Sequence, residues 1–242
     1  MHGWWREISG LVLPVACGGC GRPRTLLCAE CGQALYGAGA RRVRPRPEPP
    51  GLPAVHAAAP YEDAVRAVLL GHKERGALGL AGPLGVALAG AVRGAAAGSP
   101  AGAAEPLLLV PVPSAPGAVR ARGHDPARRI ALAAAGELRR AGVPARVLAV
   151  LRQRRAVYDQ TGLSARERGA NLAGALEVAA GGSRLLGGGR VVLVDDLMTT
   201  GASLAEAARA LSAARERLIS ASGQLNAAVV AAPALSFGMN RN

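Results

Sequence analysis

The hydrophobic positions of this chain gather in short unbroken runs, separated by stretches with a helical period. The clearest run is VVLV at 191–194, the pattern of a strand buried on both faces in a parallel sheet. LLLVPVP at 107–113 is a second buried strand, and others are expected up to Tyr61, near 145–151, within 171–178 and at 226–231. Val65, Val68 and Leu69 belong to a helix expected to end near Gly71, which leaves Lys73 in the turn beyond it. One or two helices are expected over 78–96 and another from about Pro126. A further helix carries Leu204, Ala207, Ala208 and Leu211 on one face. Ser203 and Glu206 have the spacing of a capping box, which places its start there. Strands alternating with helices make an α/β domain, and 242 residues suffice for one with a small appendage.

Composition changes this picture in two ways. Half the residues are hydrophobic but only 2% are aromatic, so the core must be built from Ala, Val and Leu. The net charge is +13, and of 29 basic residues only Lys73 is a lysine. Such a surplus suits polyanionic partners, although compositional drift toward arginine produces the same count. A lysine that survives the drift is either held by chemistry that arginine's larger fork cannot supply or retained by chance.

All four cysteines lie in CGGCGRPRTLLCAEC. Cys17/Cys20 and Cys28/Cys31 are two Cys-x-x-Cys knuckles seven residues apart, and together they complete a tetrahedron for Zn²⁺. With every position filled by protein, such a zinc is structural. Two disulfides are the rival and require an oxidising compartment. No export signal is evident in the first residues, where a helix over 4–13 is expected. The uncharged stretch 76–92 is too rich in Gly and Ala, and too interrupted by Pro83, for a good membrane span. The expectation is a cytoplasmic protein without membrane insertion. Residues 1–40 read as a zinc-ribbon-like module, 41–53 (RRVRPRPEPPGLP) as a Pro/Arg-rich linker, 54–236 as the main domain and 237–242 as a frayed tail.

Candidate chemistry concentrates after the run at 191–194. Asp195 and Asp196 follow at once, then Thr199-Thr200-Gly201-Ala202-Ser203, then the helix. Free N–H groups and the dipole at a helix start favour a phosphate, with Thr199 and Thr200 adding hydroxyl donors. Carboxylates beside a phosphate must face something else, and ribose hydroxyls or a divalent cation fit. A phosphate at one end and a diol at the other describe a ribose 5-phosphate. Gly-x-x-x-x-Gly-Lys-Ser/Thr is absent, so this is not a P-loop. Arg120 and Arg122 lie in an expected cationic loop after 113, and Arg152, Arg154, Arg155, Gln160, Arg166 and Arg168 in a long loop after 151. A loop of that length in a compact domain is usually functional, often a lid.

VVLVDDLMTTGAS resembles the phosphoribosyl-diphosphate (PRPP) binding motif of type I phosphoribosyltransferases. The order of the pieces resembles the ComF/GntX family of competence-associated proteins. The features that carry the likeness are the paired Cys-x-x-Cys, Tyr61, the Gly-x-Lys at Lys73, VPVP at 110–113, Arg122-Gly123 and 160–171. One departure stands out: Arg-Gly-Phe-Asn-Gln of the family is Arg-Gly-His-Asp-Pro here, with His124, Asp125 and Pro126. The resemblance implies a type I phosphoribosyltransferase fold, a mostly parallel sheet flanked by helices, behind a structural zinc module. It implies PRPP held with Mg²⁺ by Val194, Asp195, Asp196, Met198, Thr199, Thr200, Gly201, Ala202 and Ser203. Catalysis would fall to Asp195, Asp196, Lys73 and Arg122. Pro113, Ser114 and Ala115 would form the pyrophosphate loop, Arg152, Arg155, Gln160 and Arg168 the lid, and Cys17, Cys20, Cys28 and Cys31 the metal site. Phosphoribosyl transfer would release pyrophosphate, and the acceptor is not legible.

Two alternatives stay open. One is an accessory protein of DNA uptake that binds single-stranded DNA or a helicase partner. Aromatic stacking platforms are almost absent, so such binding would be electrostatic and salt-dependent. The other is a PRPP sensor without turnover. His2, His56, His72 and His124 lack metal-ligand spacing and read as bystanders.

Overall fold

A computed structural model describes residues 16–97, 105–155, 165–215 and 225–238. Six strands form the central sheet: β1 (Arg41–Val43), β2 (Ala54–Pro60), β3 (Leu107–Pro111), β4 (Ala145–Val147), β7 (Arg190–Leu197) and β8 (Asn226–Ala232). Their order is β1-β2-β8-β7-β3-β4, and every pairing except β1 with β2 is parallel. β5 (Leu151–Gln153) and β6 (Leu176–Val178) make a separate antiparallel pair. The helices are α1 (Ala29–Gly32), α2 (Asp63–Glu74), α3 (Ala81–Ala97), α4 (Pro116–Arg122), α5 (Pro126–Arg140), α6 (Ala165–Leu172), α7 (Gly182–Leu186) and α8 (Ala202–Arg215).

The unbroken apolar runs follow from burial on both sides. In β7, Val192 and Val194 enter one core with α2, α3 and α5, while Val191 and Leu193 enter another with α8. β3 divides in the same way, Leu107 and Leu109 against Leu108 and Val110. All seven residues of β8 are buried, with alanine at four of those positions (NAAVVAA), and this thin side-chain layer lets helices lie close to the sheet. α3 and α5 approach so tightly that a Cβ on Gly85 would stand 2.5 Å from Ala133 Cβ. Leu78–Ala97 is the one helical stretch among the described residues long and apolar enough to cross a membrane, and here it packs against α5, β2 and β8.

Topology marks one place on the sheet. From β3 the chain passes through α4 and α5 to β4 on one face, whereas from β7 it passes through α8 to β8 on the other. The carboxyl ends of β3 and β7 therefore flank the point where connections diverge, where open α/β sheets leave a crevice.

Several elements differ from expectation. Residues 41–43, expected in a linker, form β1, because Val43 among its arginines is buried and pairs opposite Val55. α2 continues to Glu74, so Lys73 lies in its last turn. Residues 116–122, expected as loop, are helical: Pro116 starts the turn and Gly123 ends it in the left-handed region. β7 runs beyond 194 to Leu197, since β8 continues to pair with it at Asp195 and Leu197. The strand expected at 145–151 divides into β4 and β5, and that at 171–178 into the end of α6 and β6. No capping box forms at Ser203. α8 starts at Ala202, and the Glu206 carboxylate accepts the Leu176 N–H at 2.9 Å and pairs with Arg209 at 2.7 Å. Phe237, expected in a frayed tail, is buried, with the Arg41 guanidinium 5.0 Å from its ring centroid. The helix expected at 4–13 lies outside the described residues.

Candidate functional site

The crevice between β3 and β7 opens into a cleft of about 550 Å³. Asp195, Asp196, Thr199 and Ser203 line one side, and Pro113, Ser114 and Ala115 another. Lys73, Arg122, Gln153 and Arg168 complete its polar wall, with Leu172 and Leu176 beside them. The elements that meet here are thus the ends of β3 and β7, the last turn of α2, α4, the β5–β6 pair and α6.

The acidic pair is organised by the strand that carries it. Asp195 Oδ1 accepts the backbone N–H of Asp196 at 2.8 Å. The Asp196 carboxylate is buried and bonds the Lys73 ammonium, Nζ to Oδ2, at 2.9 Å. Burial pushes the Asp195 carboxyl well above the usual range, the neighbouring Asp196 adds to the rise, and Lys73 partly opposes it. Burial also works to lower the Lys73 ammonium, but the charges of Asp196 and Asp195 outweigh it and hold Lys73 above its ordinary value. Two carboxylates thus share one ammonium, a donor set short of positive charge and rich in hard oxygen ligands. Such a set suits a small divalent cation.

The hydroxyl-rich loop lies where expected, between β7 and α8. Gly201 takes a left-handed φ of +79°, which lets the chain turn into the helix. Thr200 Oγ1 accepts the Ala202 N–H at 3.4 Å, a long contact that leaves other N–H groups of the first turn for a ligand. Thr199 and Ser203 face the cleft. Val194 and Met198 are core residues beneath it, and Ala202 lines a different groove with Pro49, Pro50 and Gly51.

The cations divide into two groups. Arg168 faces the cleft with Nη1 3.5 Å from Thr199 Oγ1, and its Nε is buried without a hydrogen-bond partner among the described residues. Arg122 faces it too, but its fork is held by Glu74 at 2.8 and 2.9 Å. Arg152 and Arg155, expected in the lid, are used elsewhere. Arg152 pairs with Glu177 at 2.8 Å across the β5–β6 pair, and Arg155 donates to the carbonyls of Asn171 and Ala173 at 2.8 Å. The strand explains Arg152: its neighbour Gln153 points to the cleft, so Arg152 points away. Gln160 lies outside the described residues, as does the Arg166 side chain.

Sequence reasoning missed Glu74, Asp125 and Gln153. Asp125 could have been found, because an acid before Pro126 is an N-cap signal. It accepts the Arg128 N–H at 3.0 Å and the Ser114 N–H at 3.2 Å, so one side chain starts α5 and fixes the loop after β3. The departure at His124-Asp125-Pro126 therefore supplies a loop anchor of its own. His72 is fully buried against His124, ring centroids 5.4 Å apart.

A second centre lies at the other end of α2. The sulfurs of Cys17, Cys20, Cys28 and Cys31 fall within 4.8 Å of one another, and all four thiols are free. Cys20 and Cys28 Sγ are 3.6 Å apart, close to the ~3.8 Å edge of a tetrahedron with metal–sulfur bonds of about 2.3 Å. Burial works to raise Cys17, but N–H groups of Cys20, Cys28 and Gly19 aimed at its sulfur bring it down to about 6. Burial and the three neighbouring sulfurs push Cys31 strongly upward. Four thiolates cannot coexist there without a cation, and the cluster is close enough to bind a metal ion. It packs on Ala64 of α2 and on Leu27.

No known protein-family model matches the chain, and no curated protein matches it.

Proposed function

We propose that the chain binds PRPP with Mg²⁺ and transfers its 5-phosphoribosyl group to an acceptor, on a type I phosphoribosyltransferase fold of the ComF/GntX kind. The observation that carries this reading is a single cleft holding Asp195, Asp196, Thr199, Ser203 and Lys73 at the diverging strand ends. Thr199, Ser203 and the first turn of α8 would receive the 5-phosphate, with Arg168 beside them. Asp195 and Asp196 would accept hydrogen bonds from the ribose hydroxyls. Ser114 and its neighbours, held by Asp125, would face the diphosphate. Mg²⁺, held by Asp195 and Asp196, would neutralise diphosphate charge.

The chain's own contribution is electrostatic. As the bond from the ribose C1 to the leaving pyrophosphate lengthens, negative charge grows on the leaving oxygens. Lys73, kept protonated at neutral pH, stands in the cleft to stabilise it. We take the metal of the Cys17, Cys20, Cys28 and Cys31 cluster to be zinc with a structural role, since all four positions are thiols.

Calorimetric titration of PRPP with Mg²⁺ tests the reading. Binding by the wild type and its loss in Asp195→Asn/Asp196→Asn are expected, and no binding by the wild type would sink it. Release of pyrophosphate with a member of an acceptor panel would mark an enzyme, and binding without release a sensor. A second reading, electrostatic binding of single-stranded DNA, is favoured by Arg41, Arg42, Arg44 and Arg46, all exposed along β1 and the residues after it. Affinity that does not fall steeply with salt would remove it.

A further inference from the structure

Two cations of the cleft wall, Lys73 and Arg122, are already engaged. Lys73 and Glu74 are consecutive residues in the last turn of α2. Lys73 reaches Asp196 on β7 at 2.9 Å, and Glu74 grips Arg122 at the end of α4 through two bonds of 2.8 and 2.9 Å. One helix turn thus clasps β7 on one side and α4 on the other. The Lys73 side chain is 34% exposed and its partner Asp196 only 8%, so the ammonium sits at the mouth of a buried carboxylate. That is where a cation arriving from the cleft would have to bind.

Resting on the PRPP reading, we propose that Lys73 is an exchangeable occupant of the divalent-cation position. In the ligand-free protein its ammonium holds Asp196. When a divalent cation and a diphosphate arrive together, the cation takes Asp196 and Lys73 passes to a phosphate oxygen. No covalent bond is made or broken. Asp196 trades one cation for another, and Lys73 trades one anion for another.

The physical reason lies in the balance of charge. A divalent cation arriving alone must displace Lys73, leaving an ammonium with no anion beside two carboxylates that now face a stronger cation. A diphosphate arriving alone must draw Lys73 away, leaving buried Asp196 uncompensated, and removing one partner of a buried pair is costly. Only joint arrival satisfies every charge. The clasp therefore makes metal binding and diphosphate binding depend on each other. Lysine suits this role better than arginine, because a compact ammonium on a flexible stem can change partners with little rearrangement. The short reach from Asp196 to the cleft does not need a planar fork.

The exchange predicts a gain where a merely structural ion pair predicts a loss. Lys73→Met removes the competitor, so Mn²⁺ alone, followed by the electron paramagnetic resonance of the free ion, should bind the variant more tightly than wild type. The expected gain is on the order of tenfold, a coupling of ordinary size. Asp196→Asn should abolish that binding in either background. Calorimetry with PRPP in the absence of metal should show weaker binding to Lys73→Met than to wild type. Lys73→Gln, with zinc content and circular dichroism as folding checks, replaces the methionine variant if that one is unfolded. Mn²⁺ affinity equal to or below wild type in the folded variant would overturn the exchange. That result would leave PRPP binding by the wild type untouched, whereas a wild type blind to PRPP but with tighter Mn²⁺ binding in the variant would sink the ligand and keep the exchange.

Discussion

The two ends of α2 carry two very different sites. Near its start the cysteine cluster is built from one short stretch, 17–31, whose knuckles and turns bring the sulfurs together locally. At its last turn the cleft draws residues from 73 to 203, from strands, helices and loops that meet only when the sheet is assembled. The first site is held by a few local contacts, and a metal would stabilise it directly. The second stores unbalanced charge, with Asp195 raised by burial and Asp196 sharing its single ammonium. A local site is stabilised by what it binds, and a non-local one of this kind is destabilised until it binds.

The largest effect should come from breaking the local site. Cys31→Ser should reduce bound metal from about one equivalent to well below one by elemental analysis. It should also lower Tm by roughly 10 °C or more, because metal-binding energy in such modules is folding energy. A variant that keeps its Tm would show that the cluster is dispensable to the fold.

The cleft should behave in the opposite sense. Asp195→Asn should weaken PRPP binding by about a hundredfold, as two charge-assisted hydrogen bonds would. It should nevertheless raise Tm at pH 7 by a few degrees, of the order expected for about 1 kcal/mol. The sign follows from the raised carboxyl. The folded protein holds that proton to higher pH than the unfolded chain, so this group's stability is complete below the ordinary carboxylate range. It is lost as pH climbs toward the raised folded value. Wild type should therefore lose stability over that climb, measured by denaturant melts at successive pH, while Asp195→Asn should be flatter. A lower Tm for the variant at pH 7 would contradict the stored charge.

Glu206 links the two kinds of behaviour. Its carboxylate is 6% exposed and holds the Leu176 N–H and Arg209, tying α8 to the β5–β6 pair that carries Gln153. Glu206→Ala should cost about 1–3 kcal/mol in urea melts, from buried donors left unmet. Hydrogen exchange should rise in β5 and β6 while the cysteine module stays protected. The smallest effect is expected at Arg152, whose pair with Glu177 is exposed. Arg152→Ala should change stability by no more than about 0.5 kcal/mol and leave PRPP affinity unchanged. A tenfold loss of affinity would restore Arg152 to the cleft.

The chain's own pattern was enough to determine the buried runs, the four-cysteine knuckles and the acidic pair before a hydroxyl-rich helix start. Each depends on neighbours within one element or turn, where period and spacing carry the physics. Asp125 was equally legible as an N-cap, because the acid–proline pair is a local signal. Tertiary structure alone decided which cations reach the acids. Arg122, Arg152 and Arg155 are alike in sequence, yet Glu74, Glu177 and the carbonyls of Asn171 and Ala173 claim them, partners up to 48 residues away. It also decided that Val43 closes the sheet edge and that Glu206 serves β6 rather than its own helix cap. A long charged side chain takes the nearest partner that packing leaves within reach. Local pattern therefore located the acids, and the meeting of α2 with β7 set Lys73 beside them.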